Sequence, residues 1–161
     1  MDFTLRKYKE LLACLLKKGY KFITFEQFCA QKSLFIDPLA AGSAPASRWI
    51  ILRHDVDLKA ANSLATAQME QALGIKASYY FRVVAESNQP DIIRSIAELG
   101  HEVGYHYEDM AIANGDASKA YAHFLQQLQY FRSFYPVRTI CMHGAPTSKW
   151  DGKDLWKQYD Y

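Results

Sequence analysis

The chain has little cysteine: Cys14, Cys29 and Cys141 are the three among 161 residues, widely spaced and without a Cys-x-x-Cys pair. That excludes a disulfide framework and a cysteine-paired zinc motif. Set among apolar neighbours, the three read as small core residues of a protein in a reducing cytoplasm. An excess of either charge is also missing. Nineteen Lys and Arg face 17 Asp and Glu, for a net charge of +2, and no basic run is long enough to track a phosphate backbone, which excludes nucleic acid as the partner. Long apolar runs are absent as well. The opening MDFTLRKYKELLACLLKKGY threads charges through its apolar positions and has no small-residue cleavage site, so it fits neither a secretory leader nor a membrane span.

What is present is apolar and aromatic. Half the residues are hydrophobic, with eleven Tyr, nine Phe and three Trp, enough for one core, and residues 1–161 are expected to form a single domain. Leu5, Tyr8, Leu11, Leu12, Leu15 and Leu16 recur at helical spacing, and Gly19 stands where that helix would end. Thr24 to Gln27 has the form of a capping box for a short second helix that turns Phe25 and Phe28 inward. Residues 33–48, with two prolines, a glycine and three serines before Arg48, read as a surface loop.

After the loop the pattern becomes a regular alternation. Residues 49–54 form an apolar run suited to a strand buried on both faces, and Leu58 to Leu73 is an alanine-rich helix stopped by Gly74. ASYYFRV, 77–83, is a second strand, and Gln89 to Leu99 a helix with Pro90 in its first turn. HEVGYH, 101–106, is a third strand. Asp116 caps a helix running to about Phe134, and VRTICMH, 137–143, is a fourth strand. A further helix begins in DGKDLWKQYDY. Strands alternating with helices of this length predict an α/β fold: a parallel sheet with flanking helices.

In such folds the carboxyl ends of the strands form the functional rim. His54, Asp55 and Asp57 stand at the end of the first of these strands, Tyr105, His106 and Glu108 at the end of the third, and His143 and Gly144 at the end of the fourth. Asp55 and Asp57, two apart, share a side if the strand persists. Two carboxylates held together call for a cation or a shared proton, and His106 and His143 would complete a mixed set of the kind zinc accepts. Plainer readings compete. Asp57 is well placed to cap the following helix; His101 reads as structural, His123 as a packing or surface residue, and His54 has the opposite parity to the two aspartates.

LRHDVD, GIKASYYF and IAELGHEVGYHYED, in that order, resemble the polysaccharide deacetylase (NodB-like carbohydrate esterase) superfamily, in its divergent His-Asp-Val-Asp branch. The resemblance spans about Ile50 to Gly144. It implies a partial or distorted (β/α) barrel and a metal-dependent hydrolase that removes acetyl groups from N-acetylated sugars or polysaccharide. Carried over residue by residue, it makes Asp55 the catalytic base and His106 a metal ligand. Val56 stands where the family's metal-binding aspartate follows, which passes that role to Asp57. Met110 replaces the second histidine of the motif, a poor ligand for a hard or borderline ion, and His143 becomes the replacement ligand, with Glu108 as another candidate. Arg53 and His54 are further candidates. The implied cofactor is a divalent cation, zinc first, with cobalt, nickel or manganese as the other choices. Four strands cannot close a barrel, so the chain is expected to be the N-terminal portion of a longer protein or a half-barrel paired with a second copy through an open sheet edge. The expected partner is an acylated sugar or other small amide, with no nucleic acid and no membrane. Two alternatives share the scaffold: an inactive module that binds a glycan or a partner, and a non-sugar amidohydrolase.

Overall fold

The computed structural model describes residues 4–31, 48–144 and 147–161. Helix α1 (Leu5–Lys17) starts at Thr4, whose hydroxyl accepts from the Lys7 N–H. Strand β1 (Tyr20–Ile23) and helix α2 (Phe25–Ala30) follow, and α2 opens with the expected capping box, Thr24 and Gln27 each accepting from the other's backbone N–H. The segment expected to be a loop lies outside the described residues except for Arg48.

The apolar run at 49–54 is two strands rather than one. It breaks at Leu52 into β2 (Arg48–Ile51), which pairs in parallel with β1, and β3 (Arg53–Val56), which pairs with β4 (Ser78–Phe81). Strand β1 has no strong sequence signal because it is four residues long and carries a lysine; its partner comes from far along the chain. Helix α3 (Ala60–Ala72) begins later than Leu58, with Lys59 in the left-handed region at φ 53° ahead of it. Asp57 therefore lies outside the helix and does not cap it. Helix α4 (Pro90–Glu98), strand β5 (Glu102–Tyr107), a short helix α5 (Asp109–Ile112) that the sequence did not suggest, α6 (Ala117–Arg132) and strand β6 (Ile140–Met142) complete the alternation. Asp116 caps α6 by accepting from the Lys119 N–H. The last expected helix is a 3-10 segment, Gly152–Lys157. Among the described residues no helix is long and apolar enough to cross a membrane.

Strands β3-β4-β5-β6 lie side by side in that order, all parallel, as a half-barrel flanked by helices. Strand alternation divides their side chains between two faces. Val56, Tyr79, Phe81, Val103, Tyr105 and Tyr107 point to the convex face, where Ile93 and Ile96 of α4 and Phe124, Leu128 and Phe131 of α6 join them in the buried core. Cys14 and Cys29 are both exposed rather than in that core; they ride on the solvent sides of α1 and α2, where only Leu12 of α1 is fully buried.

The opposite parity carries Asp55, Tyr80, Glu102, Gly104, His106 and Cys141 on the concave face. Its amino end is plugged by α2. The Phe25 N–H donates to Ser78 Oγ at 3.0 Å and the Glu26 N–H to Glu102 Oε2 at 3.1 Å, while Thr139 Oγ1 also donates to the buried Glu102. Above this layer the Tyr80 ring passes close against Gly104. A Cβ at Gly104 would meet that ring at 2.4 Å and the Thr139 carbonyl oxygen at 2.8 Å, so the close approach requires glycine.

Candidate metal centre

Curling brings the two edge strands of the sheet face to face. In a flat sheet three strand steps of about 4.8 Å would hold β3 and β6 about 14 Å apart. Here Cys141 Sγ is 3.8 Å from Asp55 Oδ1, and His143 Nδ1, just beyond β6, is 3.1 Å from Asp57 Oδ1, just beyond β3. His106 reaches in from β5 between them. Its Nε2 lies 3.5 Å from Asp57 Oδ1, 3.2 Å from His143 Nδ1 and 3.9 Å from Asp55 Oδ2.

The state of His106 follows from its partners. The ring is 2 % exposed, and its Nδ1–H donates to the Cys141 carbonyl at 3.1 Å, which leaves Nε2 as a lone pair aimed at the carboxylates. Burial pushes its pKa below the usual imidazole range, against the opposing pull of Asp55. A neutral ring with its far nitrogen pinned to a carbonyl is the arrangement that orients a metal-ligating histidine.

Asp57 supplies the second telling detail. Its side chain is partly exposed, yet Oδ1 is buried and has no hydrogen-bond partner in proper geometry despite the two imidazole nitrogens near it. A buried carboxylate oxygen left without a donor costs about 1–3 kcal/mol or more, unless a cation satisfies it. The spacing suits one. Two oxygen or nitrogen donors, each about 2.0–2.1 Å from a tetrahedral zinc, lie about 3.3 Å apart, and the three pairwise separations among Asp57 Oδ1, His106 Nε2 and His143 Nδ1 are 3.1, 3.2 and 3.5 Å. The donor set therefore fits a divalent ion.

The sequence candidates divide cleanly. Asp55, Asp57, His106 and His143 converge. Arg53 stands beside them, its guanidinium 2.9 Å from Asp55 Oδ2. His54 does not join; on the opposite face it stacks on Tyr79 and sits 2.7 Å from Glu70 Oε1, because adjacent strand residues point apart. Glu108 lies outside the donor group too, with Oε1 held by Arg82 Nε at 2.9 Å and a second guanidinium nitrogen at 2.6 Å. Met110 is buried in the core. His101 is structural: fully buried, it accepts from the Ala77 N–H at Nδ1 and donates to the Ala67 carbonyl from Nε2. His123 is more than a packing residue, since its Nδ1 lies 2.5 Å from Asp109 Oδ1, whose fully buried carboxyl is held above its usual pKa by burial.

No family model, curated protein or solved structure matches this chain. The likeness to deacetylases thus rests on the quoted motifs. One member of the cluster, Cys141, read from the sequence as a small core residue, is half-buried on the concave face instead, because its strand parity turns it away from the core. Its signal was the same two-residue parity that relates Asp55 to Asp57: Cys141 stands two before His143 and directly across from His106 in the β5–β6 register. Two cavities flank the cluster, one of about 400 Å³ lined by Glu108, His143 and Trp150, the other of about 300 Å³ lined by Arg53, Tyr80 and Cys141.

Proposed function

We propose that the concave face is a hydrolytic metal centre that removes acyl groups from N-acylated compounds, N-acetylated sugars being the class the motif resemblance favours. The observation that carries it is the convergence of Asp57 Oδ1, His106 Nε2 and His143 Nδ1 at 3.1–3.5 Å with Asp57 Oδ1 otherwise unpartnered. These three residues would hold a divalent ion, zinc by donor type. When bound, such an ion polarises an acyl carbonyl and makes water more acidic.

The chain's own groups supply the rest. Asp55 is the general base: Arg53 engages Oδ2, which fixes the carboxylate and leaves Oδ1 on the concave side with only the weak Cys141 thiol donor 3.8 Å away. That oxygen takes the proton from the attacking water and returns it to the departing amine. The Cys141 carbonyl holds His106 in the tautomer that presents Nε2. The flanking cavities give the two sides of the scissile bond separate room.

One observation favours a second reading, a glycan-binding module without turnover. Met110 occupies the motif position of the second histidine and is committed to the core. Acetate release from an N-acetylated sugar oligomer, measured after loading with zinc, cobalt, nickel or manganese, separates the two. Turnover that Asp55→Asn abolishes while the ion stays bound is the expected result. Full activity in Asp55→Asn removes it as the base, and a chain that binds no divalent ion removes the metal centre.

A further inference from the structure

The concave face holds a second group of donors. A carboxylate oxygen of Asp55, Nε2 of His106 and Sγ of Cys141 all lie within 4.8 Å of one another, as the donors of Asp57, His106 and His143 do. Cys141 owes its place to the register that sets it directly across from His106, and to the curl that puts its sulfur 3.8 Å from Asp55 Oδ1. Both groups draw on one atom. His106 Nδ1 is committed to the Cys141 carbonyl, so the ring offers a single lone pair and serves one cation at a time. The two groups are alternative seats rather than halves of a two-ion site.

Their chemistry differs. The first seat is one oxygen and two nitrogens; the second is oxygen, nitrogen and sulfur. A sulfur donor shifts preference toward soft, thiophilic ions such as cadmium and away from manganese or magnesium. We propose that Asp55, His106 and Cys141 form a second cation seat, exclusive with the first and selective for thiophilic ions. The thiol proton leaves to solvent as the sulfur takes up the ion. The inference rests on the preceding reading only in using His106 Nε2 as a donor. If both hold, cadmium in the second seat occupies the general base and inhibits the hydrolase.

The test uses cadmium alone, followed by the ultraviolet absorption of a cadmium–thiolate bond. Cys14→Ser/Cys29→Ser serves as the background, because those two exposed thiols would bind cadmium on their own. The expected result is absorption that saturates at a single equivalent, disappears in Cys141→Ser and persists in His143→Ala. Asp55→Asn should weaken cadmium binding at least about tenfold, since loss of a group that merely orients a ligand already costs about 10–100-fold, with far-ultraviolet circular dichroism confirming that each variant is folded. Cadmium bound without the absorption overturns the proposal, as does absorption lost in a folded His143→Ala, which would merge the two seats into one. The readouts separate from those of the proposed function: absorption without acyl hydrolysis under any metal defeats only the hydrolase, and hydrolysis without absorption defeats only the second seat.

Discussion

Replacing Glu70 by Gln tests whether the far side of the sheet is held by a buried charge. Glu70 is fully buried in α3, and its carboxylate accepts from Tyr8 Oη at 2.7 Å and Tyr79 Oη at 2.6 Å, with His54 Nε2 at 2.7 Å as a third partner. An amide of the same shape has one oxygen and an NH2 that only donates. At least one hydroxyl or ring N–H is left facing a donor, at about 1–3 kcal/mol, and the remaining bonds lose their charge assistance, about 1 kcal/mol more. The sum is about 3 kcal/mol, a fall of roughly 6–12 °C in Tm for a domain of this size. Acid dependence gives an independent check. Burial alone would raise the Glu70 carboxyl, but the hydrogen bond and charge of His54, with the bonds from Tyr79 and Tyr8, bring it below its ordinary value. The folded state thus binds its proton less readily than the unfolded chain. The stabilisation is complete above the ordinary carboxylate range, about pH 4–4.5, and is lost as pH falls through the lower folded-state value. Urea denaturation across pH 3–7 should show that acid loss in the wild type and a shallower one in Glu70→Gln. A cost below about 1 kcal/mol at pH 7, or parallel acid limbs, would refute the reasoning.

Gly104→Ala should cost at least about 2 kcal/mol in the same assay, since the new methyl group meets the Tyr80 ring and a backbone carbonyl that cannot both yield. It should also weaken divalent-ion binding, because yielding by β6 displaces His143. Lys59→Gly should raise stability by up to about 1 kcal/mol, as the residue sits at φ 53° with no side-chain cap to lose; a loss of stability would show that its side chain contributes more than its backbone strain costs.

The layout of the sheet was readable from β4 onward because each strand there is a short run rich in apolar or aromatic residues between turn signals, and each long helix has an end marked by chemistry: Pro90 at the start of α4, Asp116 before α6, Gly74 and Gly100 after α3 and α4. The glycines at 74 and 100 do adopt φ of 71° and 85°. The break at Leu52 was not readable. Nothing in WIILRHDV distinguishes one long strand from two short ones, since the break comes from a change of partner, β1 for the first half and β4 for the second, and pairing between distant segments leaves no local mark. The same holds for Cys14 and Cys29, whose neighbours are apolar in sequence while the residues themselves face solvent. Periodicity identifies a helix well, but which flank of its apolar stripe is covered depends on what docks against it.

The candidate site was more legible than the fold around it, for a physical reason. Strand parity is local, so the pairing of Asp55 with Asp57 could be expected from nearby residues alone, and it set His54 apart from them without removing it as a candidate. Strand-end position is nearly local as well, which is why His106 and His143 could be placed beside them. What parity cannot supply is curvature. Sulfur at 141 and carboxylate at 55 belong to the two outermost strands of the four, and only the closing of the half-barrel carries them to 3.8 Å. The residues whose roles depend on that closure, Cys141 as a donor and Gly104 as the space for the Tyr80 ring, are the ones whose roles the sequence did not reveal: the first read as a core residue, the second carried no reading. If the curl is what assembles the donors, a substitution that flattens the sheet without touching any of them should lower cation affinity. Gly104→Ala is that substitution, and unaltered affinity in a folded Gly104→Ala protein would show that the strand ends hold the site together on their own.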